Sequence, residues 1–585
     1  AANHRLSCQA NIRGDLVIDV PPESQVHRQV VRKRAEYREI TLDPAIRLYY
    51  VEVQPADLLE PTGDLQRLND ALSWEWQLSS LDCDPTVLLY LQSALRDGNW
   101  RVTVAVYKGC RIIALWPGFR RDAYGAAIDI GSTTVAAHVV NLTTGEVLAT
   151  GGIMNPQIRY GEDLMSRVSY VQMHPEGAAM LTELVRAGVN ELLADVCREA
   201  GLGPDDILEL AVAGNPIMHH LFLGISPVEL GGAPFALAVD TALEVKAREL
   251  DLTINTGATV YMLPCIAGHV GADAAAMVLA EEPHLLEETS LVVDVGTNAE
   301  IVLGNRDRLL ACSSPTGPAF EGAQIASGQR AAAGAIERVR IDPESLDARF
   351  RVIGSSLWSD DPGFADATQA IGITGICGSG IIEVVAEMYL AGIIHEDGVI
   401  NGTLADKSAR IVPDGRTWSY VLHDGRPRIV VTQNDVRQIQ LAKAALYAGI
   451  KLLMDRAGID TPDRIRLAGA FGSHIDTRYA MVLGLIPDCA PDKVESAGNA
   501  AGTGATIALL NVQARDEIEA TVRRIEKVET AVEPRFQDHF VDAMAIPHGK
   551  DQFPRLFAVV ARPARQANAN VGGRRRRRKR PGANQ

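Results

Sequence analysis

Buried apolar strands and glycine-rich turns alternate with amphipathic helices from Tyr124 to about Pro547. This alternation is typical of an α/β fold. The preceding segment, 43–120, mixes period-two strands with short helical stretches, and we expect it to form a small α+β domain. Residues 24–42 are polar and basic, which predicts a linker. Within 43–120 the pattern predicts strands at 48–53, 100–107 and 111–116, and helices at 64–72 and 85–95.

One short phrase occurs twice in the α/β region. Residues 126–134 form an apolar strand that carries Asp129 near its end and runs into a Gly-Ser-Thr-Thr turn. Residues 291–298 repeat this arrangement with Asp294 and a Gly-Thr-Asn turn. The two aspartates are 165 residues apart, a period far too long for a solenoid. The repeat therefore predicts two related lobes, each opening with a strand–turn–strand hairpin.

Each of these turns has the chemistry of a phosphate-binding loop. Glycine lets the backbone come close to a ligand, and consecutive N–H groups with a hydroxyl can surround phosphate oxygens. An aspartate held on a strand can bind Mg2+ through water, so Asp129 and Asp294 are predicted to be the catalytic, Mg2+-organising carboxylates. A lone turn of this kind is usually only a turn, but a matched pair is far more specific. The residues expected to bind phosphate are Gly131, Ser132, Thr133, Thr134, Gly296, Thr297 and Asn298.

A third glycine-rich turn follows an apolar strand at about 465–468. Its two glycines, three positions apart, would let a flat ring lie on the backbone, so Gly469, Ala470 and Gly472 are expected to line an adenosine. A plain strand-to-helix turn is the structural alternative. Small residues at 498–505 then open an apolar helix, which suits close packing or a phosphate at the start of the helix.

The three turns, taken in this order, resemble those of the actin-like ATPase superfamily, which includes acetate and sugar kinases, heat-shock ATPases and actin. The resemblance covers roughly residues 124–510. It implies two duplicated ribonuclease-H-like lobes with ATP and Mg2+ in the cleft between them. It also implies that ATP hydrolysis is coupled to opening and closing of that cleft.

Four further segments are similar to those of the reductive activators of corrinoid proteins, a branch of this superfamily. They are 155–167, 213–235, 313–336 and 375–380, and the helix predicted from 433 to 453 is a fifth. In that family a plant-type ferredoxin domain with a 2Fe-2S cluster precedes the ATPase, and its last cysteine lies in a phrase like Arg-Leu-x-Cys-Gln. Residues 5–9 read Arg-Leu-Ser-Cys-Gln, so Cys8 matches that last ligand.

The first three ferredoxin cysteines are absent from the chain, so Cys8 is the single cluster ligand left. We expect the N-terminal part to have been removed and the 2Fe-2S cluster to belong to the full-length protein, not to this chain. The predicted segments are a ferredoxin remnant at 1–23, the linker at 24–42, a small α+β middle domain at 43–120, the actin-like ATPase domain at 121–548, and a C-terminal extension at 549–585.

The resemblance implies ATP-dependent return of a corrinoid protein from Co(II) to Co(I), with the electron passing through the 2Fe-2S cluster. The implied partners are a corrinoid protein of a methyltransferase system and an electron donor, and a homodimer is a further expectation. The loop 313–322 is expected to face the corrinoid, or equally to pack as a structural loop between the lobes. Its candidate contact residues are Ser313, Ser314, Gly317, Phe320 and Glu321.

Three other functions fit an actin-like ATPase. A kinase of small acids or sugars needs a positioned general base, and no convincing candidate stands out in the sequence. An activator of 2-hydroxyacyl-CoA dehydratases or benzoyl-CoA reductase needs local cysteines for a 4Fe-4S cluster, and Cys312 and Cys377 do not lie in the matching phrase. A regulatory scaffold with idle ATP binding would show no hydrolysis with any partner.

Charge and hydropathy narrow the class of partner. The net charge is −16 although seven basic residues are consecutive at 574–580, so the rest of the chain is strongly acidic. An acidic body argues against general nucleic-acid binding. The basic run is expected to be a solvated, disordered end, with contact to nucleic acid, an acidic membrane or an acidic partner as the alternative. No apolar run reaches the roughly 18–20 residues that cross a bilayer, and no signal peptide opens the chain. We therefore expect no membrane contact and a cytoplasmic protein.

The metal-ligating residue types are scattered. The eight cysteines are at least 27 positions apart, which excludes zinc or cluster sites built from local pairs and fits reduced thiols. His219 and His220 have no third ligand nearby in the sequence, so metal binding is not expected there. Asp163 and Arg167 have the i, i+4 spacing of a helical salt bridge.

Overall fold

The computed structural model describes residues 40–59, 61–469 and 475–563. The predicted ferredoxin remnant with Cys8, most of the predicted linker and the basic run near the C-terminus lie outside the described residues. Ala470 and Gly472 of the predicted adenosine turn lie outside them as well. No helix within the described ranges is both long and apolar enough to cross a membrane.

The first described unit is a four-stranded sheet covered by short helices. Its elements are β1 (Ile46–Glu52), α1 (Asp64–Trp76), β2 (Asp82–Cys83), α2 (Pro85–Leu88), α3 (Leu91–Asp97), β3 (Arg101–Tyr107) and β4 (Arg111–Pro117). The strand order is β1-β3-β4-β2. The helical stretch predicted at 85–95 is confirmed as two helices, because Tyr90, at φ −127°, interrupts the helical path between α2 and α3. The unit is the α+β arrangement expected from its mixed periodicity.

The repeat continues as a repeat of sheet topology. One sheet has the strand order β7-β6-β5-β8-β10-β9. Read in the matching direction, the other sheet has the order β22-β13-β12-β11-β20-β21. Strands β13-β12-β11-β20-β21 of the second sheet therefore correspond to β7-β6-β5-β8-β10 of the first. In both, the hairpin strand pairs antiparallel with the next strand and parallel with a later one. The elements of the first lobe are β5 (Tyr124–Ile130), β6 (Thr134–Asn141), β7 (Val147–Met154), α4 (Leu164–Met173), α5 (Gly177–Glu199), β8 (Ile207–Gly214), α6 (Pro216–Leu223), β9 (Leu243–Lys246), β10 (Thr259–Met262) and α7 (Ala272–Glu281).

The second lobe carries two small sheets, β14 to β16 and β17 to β19, inserted between β13 and β20. Its elements are β11 (Ser290–Val295), β12 (Ala299–Gly304), β13 (Leu309–Ser314), β14 (Ala335–Ile341), β15 (Ala348–Val352), α8 (Phe364–Thr368), β16 (Gly375–Ile376), α9 (Gly378–Leu390), β17 (Ile411–Asp414), β18 (Thr417–Asp424), β19 (Arg428–Thr432), α10 (Gln433–Ala457), β20 (Arg464–Ala468), α11 (Thr477–Leu483), β21 (Val494–Gly498), α12 (Ala500–Leu510), α13 (Val512–Val522), β22 (Glu526–Lys527), α14 (Phe536–Asp542) and α15 (Leu556–Val559). The duplicated order confirms the predicted actin-like α/β fold.

Helices from the end of the second lobe cross back to the first. Helix α12 packs on α7 and on strands β5 and β8 of the first sheet. In the next helix, α13, Arg515 forms a buried ion pair with Glu209 of β8 at 2.9 Å. The small residues expected to allow close packing do so, because Gly504 lies against the backbone of Ala276. The two lobes are therefore joined by a tightly packed helix pair as well as by the chain.

This close contact gives a test of the crossing. Replacing Gly504→Ala places a Cβ in overlap with the carbonyl oxygen of Ala276, so the helices must separate. We expect a loss of about 2 kcal/mol of stability, seen as a lower thermal melting midpoint. The matched control is Gly232→Ala, where an added Cβ meets no heavy atom within 4 Å. Equal melting of the two variants would contradict this packing.

Candidate active site

The turns of the two repeated hairpins face each other. The Oγ1 atoms of Thr133, after β5, and Thr297, after β11, are 3.4 Å apart. They are 164 residues apart in the chain, so only the packing of the two lobes brings them together. One residue of each predicted phosphate-binding turn therefore lies at a contact between the two lobes.

The two aspartates occupy equivalent positions in the two sheets. Asp129 pairs across to Ala136 and Ala213, and Asp294 pairs to Glu300 and Ala468. Asp129 is 3% exposed, while Asp294 is half-buried. Both carboxylates are thus held on rigid strands at the base of the turns, as the sequence predicted.

The third turn reaches the second aspartate. Gly469 follows β20 at φ +88°, a left-handed conformation that favours glycine. A Cβ at this position would overlap a carboxylate oxygen of Asp294, so the close approach also requires glycine. This places the start of the predicted adenosine turn beside the second phosphate hairpin.

Two further carboxylates, Glu300 and Asp273, lie near the two aspartates, and the sequence interpretation named neither. Glu300 is the cross-strand partner of Asp294, at the place where the first hairpin has Ala136. Burial, together with the charges of Asp273, Asp294 and Asp129, holds the pKa of Glu300 well above its usual range. Its position opposite an aspartate in the repeat was the available signal.

This acidic surface suits a cation bound largely by water. Within the described ranges, no three side chains of His, Cys, Asp or Glu are placed to hold a metal ion directly. Mg2+ keeps several waters and binds through one or two carboxylates and the phosphates of a substrate. Asp129 and Asp294 are two carboxylates of the kind that this mode of Mg2+ binding uses.

A buried arginine supports the first turn. Arg167 of α4 is fully buried and donates to the carbonyl oxygen of Ser132, to Gln157 Oε1 at 3.1 Å and to the Gly161 carbonyl at 3.0 Å. Burial lowers the pKa of Arg167 to about 10, against the opposing effect of Asp163. The predicted Asp163–Arg167 salt bridge is wrong, because Asp163 instead caps α4.

The cap and the arginine have separate partners. Asp163 accepts hydrogen bonds from the Ser166 N–H at 2.8 Å and the Ser166 hydroxyl at 2.7 Å. This satisfies the start of the helix and leaves Arg167 to reach the turn. Helical spacing alone predicts the pair, and the fold overrides it.

Side chains hold the turn carbonyls in both hairpins. Asn155 Nδ2 donates to the Gly131 carbonyl at 2.9 Å, and Thr316 Oγ1 lies 2.7 Å from the Gly296 carbonyl and 2.9 Å from that of Thr297. In a trans peptide, the carbonyl and the following N–H point in opposite directions. The amides after these carbonyls therefore point away from the supporting side chains, as an anion-binding turn requires.

The loop expected to face the corrinoid borders this cleft. Glu321 Oε1 accepts a hydrogen bond from Thr297 Oγ1 at 2.7 Å and lies 3.5 Å from Thr133 Oγ1. Ser314 and Phe320 are buried, and Ser314 Oγ donates to the Ala445 carbonyl at 2.6 Å. These two side chains offer no surface to a partner in this conformation. Gly317 N–H donates to the Thr297 carbonyl at 2.9 Å, and Ser313 is half-buried.

Two other candidate groups behave as structural residues. Both ring nitrogens of His219 are buried without a hydrogen-bond partner in the described structure, and burial lowers its pKa to about 3. Cys377 is buried with Sγ 3.3 Å from the Ile336 carbonyl. Neither group is placed as a metal ligand among the described residues.

Family models match along the whole described chain. The RACo linker region matches residues 35–122, the RACo middle region 124–285, and the C-terminal ASKHA domain of RACo 288–557. The segment interpreted above as a small middle domain thus corresponds to the linker region of this division, and the first lobe to its middle region. An ASKHA domain is an actin-like ATPase domain, which implies ATP binding.

Curated relatives and a solved structure agree with the family models. The corrinoid activation enzyme RamQ of Eubacterium limosum is 33% identical over 92% of this chain and 88% of its own length. A methylated amine-specific Co(II) corrinoid protein reductase of Methanosarcina barkeri is 28% identical over 64% of this chain and 68% of its own. A solved reductive activator for corrinoid, iron-sulfur protein has a TM-score of 0.78 and 34% identity, over 90% of this chain and 85% of that one.

The support of the first turn by Arg167 predicts an effect on nucleotide affinity. Replacing Arg167→Lys keeps a positive charge but loses the planar group that reaches Ser132 and Gln157 together. We expect the Kd for ATP to rise about tenfold, the equivalent of one charged hydrogen bond of roughly 1.4 kcal/mol. The control is Arg159→Lys, at an exposed position. Titration calorimetry gives the Kd for ATP of both variants. Unchanged affinity in Arg167→Lys would show that the turn needs no such support.

His219 predicts a loss of stability in acid. Its folded pKa is about 3, below the unfolded value of about 6.5, so protons bind the unfolded chain first as the pH falls. Stability from this group is full above pH 6.5 and declines below it, by about 2 kcal/mol at pH 5. We expect His219→Leu to lose less stability than the wild type between a pH above 6.5 and pH 5, as measured by the midpoints of urea unfolding. An equal decline in the variant would contradict a neutral, buried imidazole.

Proposed function

We propose that this chain, which belongs to the RACo family of reductive activators of corrinoid proteins, uses ATP to return a corrinoid protein from Co(II) to Co(I). The supporting observation is that the turns of the two repeated hairpins meet, with Thr133 and Thr297 in contact. A single turn would contact the nucleotide phosphates from one lobe only, whereas two facing turns can contact them from both lobes. The names of the curated relatives support the corrinoid protein as the partner.

The residues proposed for ATP are those that line the cleft. The turns at 131–134 and 296–298 bind the phosphates through backbone N–H groups and hydroxyls. Gly469, with Ala470 and Gly472 beyond the described part of the chain, lines the adenosine. Asp129 and Asp294 would hold Mg2+, which prefers carboxylate and water oxygens. The ion neutralises charge on the phosphates when bound.

The electron requires a carrier that the described residues do not provide. The seven cysteines among them are scattered, most of them buried, and no metal-binding group forms there. We assign the 2Fe-2S cluster to a ferredoxin-like segment that includes Cys8, as the sequence resemblance implies. When bound, that cluster would supply one electron to Co(II), and an external donor would replace that electron.

Coupling to ATP follows from differential affinity. A protein that binds one state of its partner more tightly shifts the partner toward that state by the ratio of the two affinities. Preferential binding of the complex in which cobalt accepts the electron therefore favours an otherwise uphill reduction. ATP hydrolysis to ADP and phosphate changes the cleft and releases the reduced partner.

The other functions considered from sequence have less support. The family models and the curated relatives concern corrinoid activation, whereas a small-molecule kinase, a dehydratase activator or an idle scaffold would leave that match unexplained. A homodimer and a cytoplasmic location remain predictions. So does contact between loop 313–322 and the corrinoid protein.

The proposal predicts that cobalt reduction depends on Asp294. Protein that carries the 2Fe-2S cluster, mixed with Ti(III) citrate, ATP and a Co(II) corrinoid protein, should produce the Co(I) absorption spectrum. Asp294→Asn removes the charge that organises Mg2+ and should slow this conversion at least about a hundredfold. The cluster absorption should be unchanged. The control is Asp307→Asn, on the exposed turn after β12. Reduction at the wild-type rate by Asp294→Asn would refute the mechanism.

A further inference from the structure

Glu321 is the one acidic side chain of loop 313–322, and it lies at the contact between the two phosphate turns. Its Oε1 atom is 2.7 Å from Thr297 Oγ1 and 3.5 Å from Thr133 Oγ1, while the two hydroxyls are 3.4 Å from each other. One carboxylate oxygen is therefore shared between side chains of both lobes. Each hydroxyl has one proton to donate, so it cannot serve Glu321 and a phosphate oxygen together.

The short segment that carries Glu321 is bounded by two glycines. Residues Pro318–Glu321 form a single 3-10 turn, with Gly317 at φ +72° before it and Gly322 at φ +88° after it. Both values lie in the left-handed region that favours glycine. Before this turn, Thr316 and Gly317 are fixed to the backbone of the second hairpin. The carboxylate thus sits on a small turn between two conformationally permissive positions.

We propose that Glu321 discriminates between nucleoside triphosphate and diphosphate by competing with the terminal phosphate for the threonine hydroxyls. This inference rests on the proposed ATP site. A carboxylate and a phosphate are both anions and both hydrogen-bond acceptors, so they repel each other and seek the same donors. A terminal phosphate bound at the two turns displaces Glu321, whereas a diphosphate, lacking that group, leaves it in place.

Hydrogen bonds connect the segment that follows Glu321 to other elements of the second lobe. After Gly322, the N–H of Ala326 donates to Asp435 of α10 at 2.8 Å, and the N–H of Gln329 donates to the Ile376 carbonyl at 2.9 Å. Movement of the turn therefore bears on α10 and on the inserted sheets. Loop 313–322 is also the segment predicted to face the corrinoid protein, so the identity of the nucleotide reaches that surface.

Nucleotide affinity tests this role without any corrinoid protein present. Glu321→Gln removes the charge while keeping size and hydrogen-bonding ability. We expect its Kd for adenylyl-imidodiphosphate with Mg2+ to fall about tenfold, because the repulsion is gone. Its Kd for ADP should change less than about twofold. Titration calorimetry gives both values, and Glu344→Gln, exposed on the same lobe, is the matched control.

Hydrogen exchange gives a second measurement on the wild-type chain. A peptide covering 313–322 should exchange faster with adenylyl-imidodiphosphate than with ADP, because displacement of Glu321 loosens its turn. Equal affinity gains for both nucleotides, weaker triphosphate binding, or no exchange difference would each overturn the assignment. Failure of cobalt reduction alone would count against the proposed function and leave this role intact, since these measurements contain no partner.

Discussion

The contact between the turns after β5 and β11 is the constraint on which the site depends. Thr133 and Thr297 meet at 3.4 Å although they belong to separate sheets. Glu321 contacts both hydroxyls at this point, and the helix pair α7 and α12, together with the buried ion pair of Arg515 and Glu209, holds the lobes against one another. Small residues at that crossing allow the close approach. The same packing between the lobes therefore stabilises the fold and sets the distance between the two turns.

The polar side chains around the turns fall into two groups, those that donate hydrogen bonds to turn carbonyls and those that carry carboxylates. Arg167 and Asn155 hold carbonyls of the first turn, and Thr316 does so in the second. The carboxyl groups of Asp129, Asp294, Asp273 and Glu300 lie near one another at the base of the turns. Burial and the neighbouring negative charges raise the pKa of Glu300. Donor side chains thus lie on the carbonyl side of the turns, and the carboxyl groups lie on the strands that lead into the turns.

Much of this was visible in the sequence. The repeated strand and turn predicted both hairpins, both aspartates and two related lobes, because a duplicated fold keeps its local phrases. Arg167, Glu300 and Asp273 were missed, since their roles depend on contacts between elements far apart in the chain. Helical spacing suggested a salt bridge for Arg167 that tertiary packing replaced. Glu321 was found as a loop residue, but its place between the threonines follows only from the packing of the lobes.

The central claim is that both turns grip the same nucleotide. Its most direct test is calorimetric titration of adenylyl-imidodiphosphate into the wild-type protein and into Thr133→Val and Thr297→Val. Each substitution removes one hydroxyl and keeps the side-chain volume. The account predicts one nucleotide per chain and weaker binding in both variants. Two nucleotides per chain, or an effect confined to one of the two turns, would contradict it.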